Sequence, residues 1–215
     1  MRLRLSLVAT VCLVLAAAPA VARAAVLVEA EREGGEAVRM VVDRTQERVL
    51  IETGSTRTLV DLAGGHVYVQ EGIGTARRAH AHFRPGHSEP PPYRVELFGP
   101  GPMLAGHGSA YYVLFAAERV CAELMLSAWM RPFVDPAVRA LALLEPLPIE
   151  GDPCARIPFT TYAAAGWPLL AGKIDRPTFE TTAIRFDYDP PPGELAPPER
   201  FEDVPIEDLT DAISP

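Results

Sequence analysis

"EAVRMVVD" (36–43), "ERVLIET" (47–53), "RTLVDL" (57–62) and "HVYVQ" (66–70) follow one another with only short turns between them. Each is rich in β-branched or other apolar residues, and the first two alternate plainly. Val38, Met40 and Val42 share one side of the first run against Ala37, Arg39 and Val41. Val49 and Ile51 share one side of the second against Arg48, Leu50 and Glu52. Alternation with a period of two puts successive side chains on opposite faces of a strand. Gly34-Gly35, Thr53-Gly54-Ser55 and Ala63-Gly64-Gly65 punctuate the stretch. Glycines reach the positive φ that tight hairpins need. Short strands at this spacing predict an antiparallel meander. No helices alternate with them, which argues against a parallel α/β sheet.

The next stretch, "RAHAHFR" (78–84), raises the question of a metal site. His80 and His82 stand two apart, and on a strand they point the same way. Zinc is held by such pairs when further ligands complete the set. Here Arg78 and Arg84 share the histidines' side, Arg77 adds a third charge, and the nearest downstream carboxylate is Glu89, beyond a Pro-Gly turn. Those arginines repel a dication. The expectation is a half-buried strand with a solvated polar face and no metal ligands.

Residues 84–108 are dense in Pro and Gly and read as a long loop around a short piece, Tyr93 to Phe98. No G-x-G-x-x-G follows a strand, and no glycine-rich loop ends in Gly-Lys-Ser/Thr. Gly106-His107-Gly108-Ser109 does not fit the G-x-S-x-G nucleophile elbow. No residue reads as catalytic or cofactor-binding, so a non-enzymatic protein without a cofactor is expected.

"SAYYVLF" (109–115) reads as a strand, while "AERVCAELMLSAWM" (117–130) favours helix by local propensity yet also alternates. A helix is predicted after it. Asp135 caps, Pro136 suits the first turn, Val138, Leu141 and Leu144 recur at helical spacing, and Pro146 stops it. That stripe is either a lid over a ligand cavity or ordinary core packing. "TFETTAIRFDY" (178–188) follows, with Thr182, Ile184, Phe186 and Tyr188 on one side. The proline-dense residues 189–205 cannot sit inside a sheet and predict an extended segment across the body, anchored by Phe201 and Val204.

The ends place the protein in the cell. Met1 to Arg4 is short and basic, Leu5 to Ala18 is apolar but for Ser6 and Thr10, and Ala22-Arg23-Ala24 has the form that signal peptidase accepts. Cleavage between Ala24 and Ala25 is expected, with export to the periplasm. Cleavage would remove three of 20 basic residues and none of 28 acids, giving 17 − 28 = −11 against −8 for the whole chain. Nine acids and only one base fall between Asp187 and Pro215. A negative chain without a basic stripe is a poor nucleic-acid binder and gains nothing at an anionic membrane surface. No stretch after the signal is long and apolar enough to span a bilayer. The mature chain keeps Cys121 and Cys154, and an exported chain with an even count suggests one disulfide. Two buried free thiols are the alternative.

The order of these features resembles a family. "VRMVVD…RVLIET…RTLVDLAGGHVYV", then "GHGSAYYVLF", "RVCAELMLSAWM", a short helix, "GWPLL", a long strand and a closing Pro198–Pro205 segment resemble uncharacterised bacterial periplasmic domains related to the lipoprotein-localisation carriers (LolA-like). The carriers place a helix before their first strand, whereas here "VLVEAE" (26–31) starts the mature chain almost directly. The resemblance implies a mainly β (α+β) fold, an antiparallel curved sheet or half-barrel with one or a few short helices on its concave face. It also implies that the stretch around Cys121 is a strand. The expected organisation is a signal peptide (1–24), one β-rich domain (25–205) and an acidic tail (206–215). The expected role is binding of a lipid or other apolar ligand beneath a lid of Val138, Leu141 and Leu144. The alternative is a structural or partner-binding envelope protein with a filled core.

Overall fold

The computed structural model describes residues 25–80, 93–144, 152–155, 157–173, 176–206 and 208–209. Residues 1–24, His82, Phe83, Arg84, Glu89, Pro146 and the end of the acidic tail lie outside the described residues.

The predicted meander is present. Strands β1 (Ala25–Arg32), β2 (Glu36–Asp43), β3 (Arg48–Thr53), β4 (Thr56–Asp61), β5 (His66–Glu71) and β6 (Ala76–His80) pair in sequence order, each antiparallel to the last. A second antiparallel run comprises β7 (Tyr93–Leu104), β8 (His107–Ala116), β9 (Arg119–Ser127), β10 (Trp167–Lys173) and β11 (Arg176–Tyr188). β11 pairs with β1 and joins the two runs. A short β12 (Phe201–Asp203) pairs with β6 in the one parallel ladder among the described strands. The result is a single open sheet of twelve strands, with β12 at one edge and β7 at the other. The helical elements among the described residues are a 3-10 turn (Ala128–Met130), α1 (Arg131–Leu144) and the short α2 (Thr160–Ala163), with helical residues again at 208–209.

Alternation along the meander buries both faces. Val38, Met40, Val42, Val49 and Val60 join Val134, Ala137 and Ala140 of α1 in the largest apolar cluster. The opposite residues Val41, Leu50, Leu59 and Tyr68 pack on the other face with Leu27 and Leu195. That second face is covered by the proline-dense strap after β11. Arg39 donates to Glu52 at 2.7 Å, to Tyr188 at 2.7 Å and to Glu194 of the strap at 2.6 Å. Arg57 donates to the Glu194 carbonyl, and Arg48 to the Leu195 carbonyl at 3.4 Å. Arginines on the meander's outward positions thus hold the part of this segment before β12, which its prolines keep out of the sheet. Burial alone would lower the Arg39 pKa, but its hydrogen bonds to Glu52 and Glu194 outweigh it and hold it above the ordinary value.

Several expectations need correction. The short piece from Tyr93 to Phe98 extends as strand through residues 99–104, which were expected to be loop: β7 runs through Pro100 and Pro102. Proline removes a ladder donor, which an edge strand tolerates most readily, and β7 is an edge. A register shift between Pro100 and Met103 absorbs the disturbance. The helix-prone 117–130 stretch supplies β9, because pairing with β8 and β10 outweighs a weak local propensity. α1 starts at Arg131, four residues before Asp135, and Pro136 sits inside it. The 3-10 turn carries the chain straight into the helix, so Asp135 has no capping role. On β11 the expected single-sided row breaks. Thr182 is skipped in the pairing between Glu29↔Ala183 and Ala30↔Thr181, and it is exposed. A second shift near Tyr188 sends its ring to the strap face, whereas Ile184 and Phe186 stay with the helix side.

The strap's anchors lie where expected. Val204 packs against the main cluster, and its N–H donates to the Arg78 carbonyl at 2.9 Å. Phe201 lies under the Arg78 guanidinium, 4.0 Å from its ring centroid, and edge-on to Tyr68. Leu209, in the stretch assigned to the tail, is fully buried in the main cluster.

Candidate apolar ligand site

On the helix side, α1 packs an extended apolar stripe against the sheet. Val134, Ala137 and Ala140 are each 0 % exposed, and Leu144 is at 9 %. Two alanines at the centre of the stripe let the helix backbone approach the sheet closely. Of the proposed lid residues, Leu144 belongs to this buried stripe. Val138 and Leu141 are half-buried and flank it. The centre of contact, Val134, Ala137 and Ala140, was missed in the sequence. Counting alanine as apolar at i, i+3, i+6 would have found it.

At the start of α1 the cluster opens to solvent through four rings. His107 begins β8, Trp129 lies in the 3-10 turn, Phe133 is in the first turn of α1, and Phe186 is on β11. Centroid separations are 5.5 Å for His107–Trp129, 5.6 Å for His107–Phe186, 5.3 Å for Trp129–Phe133, 5.2 Å for Trp129–Phe186 and 5.0 Å for Phe133–Phe186. Phe133, Phe186 and the neighbouring Leu104 pack against the buried cluster, while Trp129 is 50 % exposed. An apolar path therefore runs from an exposed tryptophan to the core beneath the helix. The guanidinium of Arg44, in the β2–β3 turn, sits 5.5 Å from the Phe133 centroid. Trp129 and Phe133 were not singled out in the sequence, because the helix was expected to start only at Asp135. His107 and Phe186 come from distant strands and carried no local signal of the contact.

The strap face holds a small cavity, of about 30 Å³, between Arg57, Leu59, Tyr68 and Ala76 and the strap residues Ala196 and Pro198. That volume holds a water or two and not an acyl chain.

The histidines divide. His80 is exposed at the end of β6, and its ring lies 4.6 Å from that of His66, its cross-strand neighbour on β5. The tertiary structure also brings in a carboxylate that sequence distance hid. Asp203 accepts from Arg78 at 2.6 and 2.8 Å. Among the described residues no group of three or more His, Cys, Asp or Glu side chains is arranged to hold a metal.

Asp203 has a pKa below the usual carboxylate value, first through its hydrogen bond from Arg78 and then through the positive charges of Arg78, His80 and His66. A depressed carboxylate contributes stability that is present above its unfolded pKa and lost as pH falls through the folded one. The β12–β6 ladder is therefore expected to loosen only below about pH 4, where unfolded aspartate titrates. Hydrogen exchange at the Val204 amide should report it, and Asp203→Asn should loosen the ladder at neutral pH as well. Equal protection of Val204 in both proteins at pH 7 would refute the latch.

Cys121 on β9 and Cys154 are joined by a disulfide with a Cα separation of 4.9 Å. The Asp152 carboxylate accepts from the Cys154 amide at 2.9 Å and from Arg119 at 2.9 Å, fixing the turn that carries Cys154. No helix among the described residues is long and apolar enough to cross a membrane.

No protein-family model and no curated protein matches the chain. Among solved structures the chain is similar to two of PNGF-II. The structure in the P21 space group has 10 % identity, a TM-score of 0.48, and coverage of 89 % of this chain and 33 % of that one. The structure in the C2 space group has 9 % identity, a TM-score of 0.44, and coverage of 88 % and 32 %. The chain thus spans about a third of the length of either.

Proposed function

We propose that the protein is exported to the periplasm after cleavage between Ala24 and Ala25 and there binds a long apolar ligand without catalysis. In this reading the sheet curves into a half-barrel, α1 lies on its concave side, and the ligand lodges beside the helix. The observation that supports it is the half-exposed ring cluster of His107, Trp129, Phe133 and Phe186, continuous with the apolar interior. Apolar side chains scattered singly over a surface are ordinary, whereas a contiguous group of them marks a binding site. Each methylene of a guest removed from water contributes about 0.8 kcal/mol, so an acyl chain needs no chemistry beyond burial to be held. Val138 and Leu141 flank the buried stripe and are the side chains that must give way.

Protein released from an envelope fraction without detergent should carry a lipid mass in native spectra. Leu141→Trp, which enlarges a flank residue, should arrive without lipid yet folded. Bare natural protein, together with a Leu141→Trp variant destabilised by roughly 1–3 kcal/mol through overpacking, would mean that the interior is already full.

A second reading is favoured by the β7 edge. Leu97, Phe98 and Met103 are 61 %, 59 % and 68 % exposed there. Such an edge suits an envelope protein that binds another protein, with Pro100 and Pro102 blocking indiscriminate strand pairing.

A further inference from the structure

We infer that the ligand of the ring-lined site carries an anionic head group and that Arg44 receives it; this rests on the apolar-ligand reading above. The other arginines around α1 and the meander are engaged. Arg39 is bound to Glu52 and Glu194, Arg48 to Asp61, Arg139 to Glu47 and Asp135, and Arg131 to the Ala164 carbonyl. Arg44 differs. Among the described residues no carboxylate pairs with it, and its guanidinium lies over the Phe133 face. Its backbone is held in place. The Asp43 carboxylate, 6 % exposed, accepts from the amides of Thr45 and Gln46 at 2.8 and 2.9 Å and so fixes the turn on both sides of Arg44. Asp43 is thereby spent on the turn, and Glu47 is drawn to Arg139 at 2.6 Å. In a chain of net charge −8, an exposed cation left without a carboxylate at an aromatic mouth is a chemical preference for an anion.

The geometry suits an amphiphile. A tail entering past Trp129 and Phe133 leaves its polar end beside Arg44. A guanidinium offers paired N–H donors to a carboxylate or a phosphate alike. The shared chemistry is an oxyanion on an acyl or alkyl chain, and free fatty acid and lipid phosphate are its two sources.

The test is displacement of bound cis-parinaric acid by three competitors of one chain length: dodecanoate, dodecyl phosphate and dodecanol. An exposed ion pair is worth up to about 1 kcal/mol, so at least one anion should displace at roughly fivefold lower concentration than the alcohol. Whichever anion shows the gap identifies the source. Arg44→Gln should abolish the gap, and Arg44→Lys should keep part of it. Equal displacement by all three on the natural protein, or a gap that persists in Arg44→Gln, would overturn the head-group assignment while leaving the apolar site standing. Displacement by none, or no parinaric acid bound at the outset, would overturn both.

Discussion

Trp167→Ala is expected to destabilise the protein by about 3–5 kcal/mol, the range for deleting a large buried aromatic. Trp167 is 0 % exposed and packs in the main apolar cluster with Met130 and Leu169. Phe159 and Phe179 approach it edge-on at 5.7 and 6.4 Å. Its indole N–H donates to the Thr181 hydroxyl at 3.2 Å, and that hydroxyl donates to the Pro168 carbonyl at 2.8 Å. Gly166 lets the chain enter β10 close against β9, since a Cβ there would lie 2.8 Å from the Ser127 carbonyl carbon. One residue thus ties β10, β11 and the helix side together. Urea unfolding should show the loss, and Trp167→Phe should recover part of it, lacking both the N–H contact and the volume of the second ring. A loss below about 1 kcal/mol for Trp167→Ala, in the range of ordinary surface substitutions, would mean that the cluster is not the stabilising core described.

Removing the disulfide ranks next. The Cys121–Cys154 bridge closes a loop across 33 positions. Chain-entropy reasoning assigns such a loop about 3–4 kcal/mol, lost in Cys121→Ala/Cys154→Ala. The loop contains α1, so the bridge restrains in the unfolded chain the segment that carries Val134, Ala137 and Ala140. The double variant should unfold at lower urea, and the unreduced natural protein should titrate no thiol. Two free thiols, or an unchanged midpoint, would contradict it.

These two positions show how unevenly the sequence revealed the fold. The meander from 36 to 70 was legible because Val38, Met40 and Val42, then Val49 and Ile51, repeat a local period on which pairing and burial agree. The cysteine pairing was suggested by the even count that the expected cleavage leaves, with two free thiols as the alternative, and the disulfide is present. β7 was not legible, because Pro100 and Pro102 disfavour a strand unless it is an edge, and edge position is a property of the whole sheet. β9 was ambiguous for a related reason: Ala122, Glu123, Leu124 and Met125 favour helix until β8 and β10 supply ladders on both sides. The ring cluster was not legible: Trp129 and Phe133 are four positions apart, but the helix was expected to begin only at Asp135, whereas the 3-10 turn and α1 carry both. His107 and Phe186 arrive through β8 and β11, 79 residues apart in the chain. Arg44 looked like any turn arginine until Phe133 was placed beneath it.

The central claim, an apolar guest admitted beside α1, is tested most directly by titrating cis-parinaric acid while following tryptophan emission. The chain has two tryptophans, Trp129 half-exposed at the mouth and Trp167 fully buried. Saturable energy transfer at about one equivalent and micromolar concentration is predicted, with a blue shift of the Trp129 emission that disappears in Trp129→Phe. Tryptophan emission that stays unchanged throughout the titration, with no saturable parinaric fluorescence, would contradict the account.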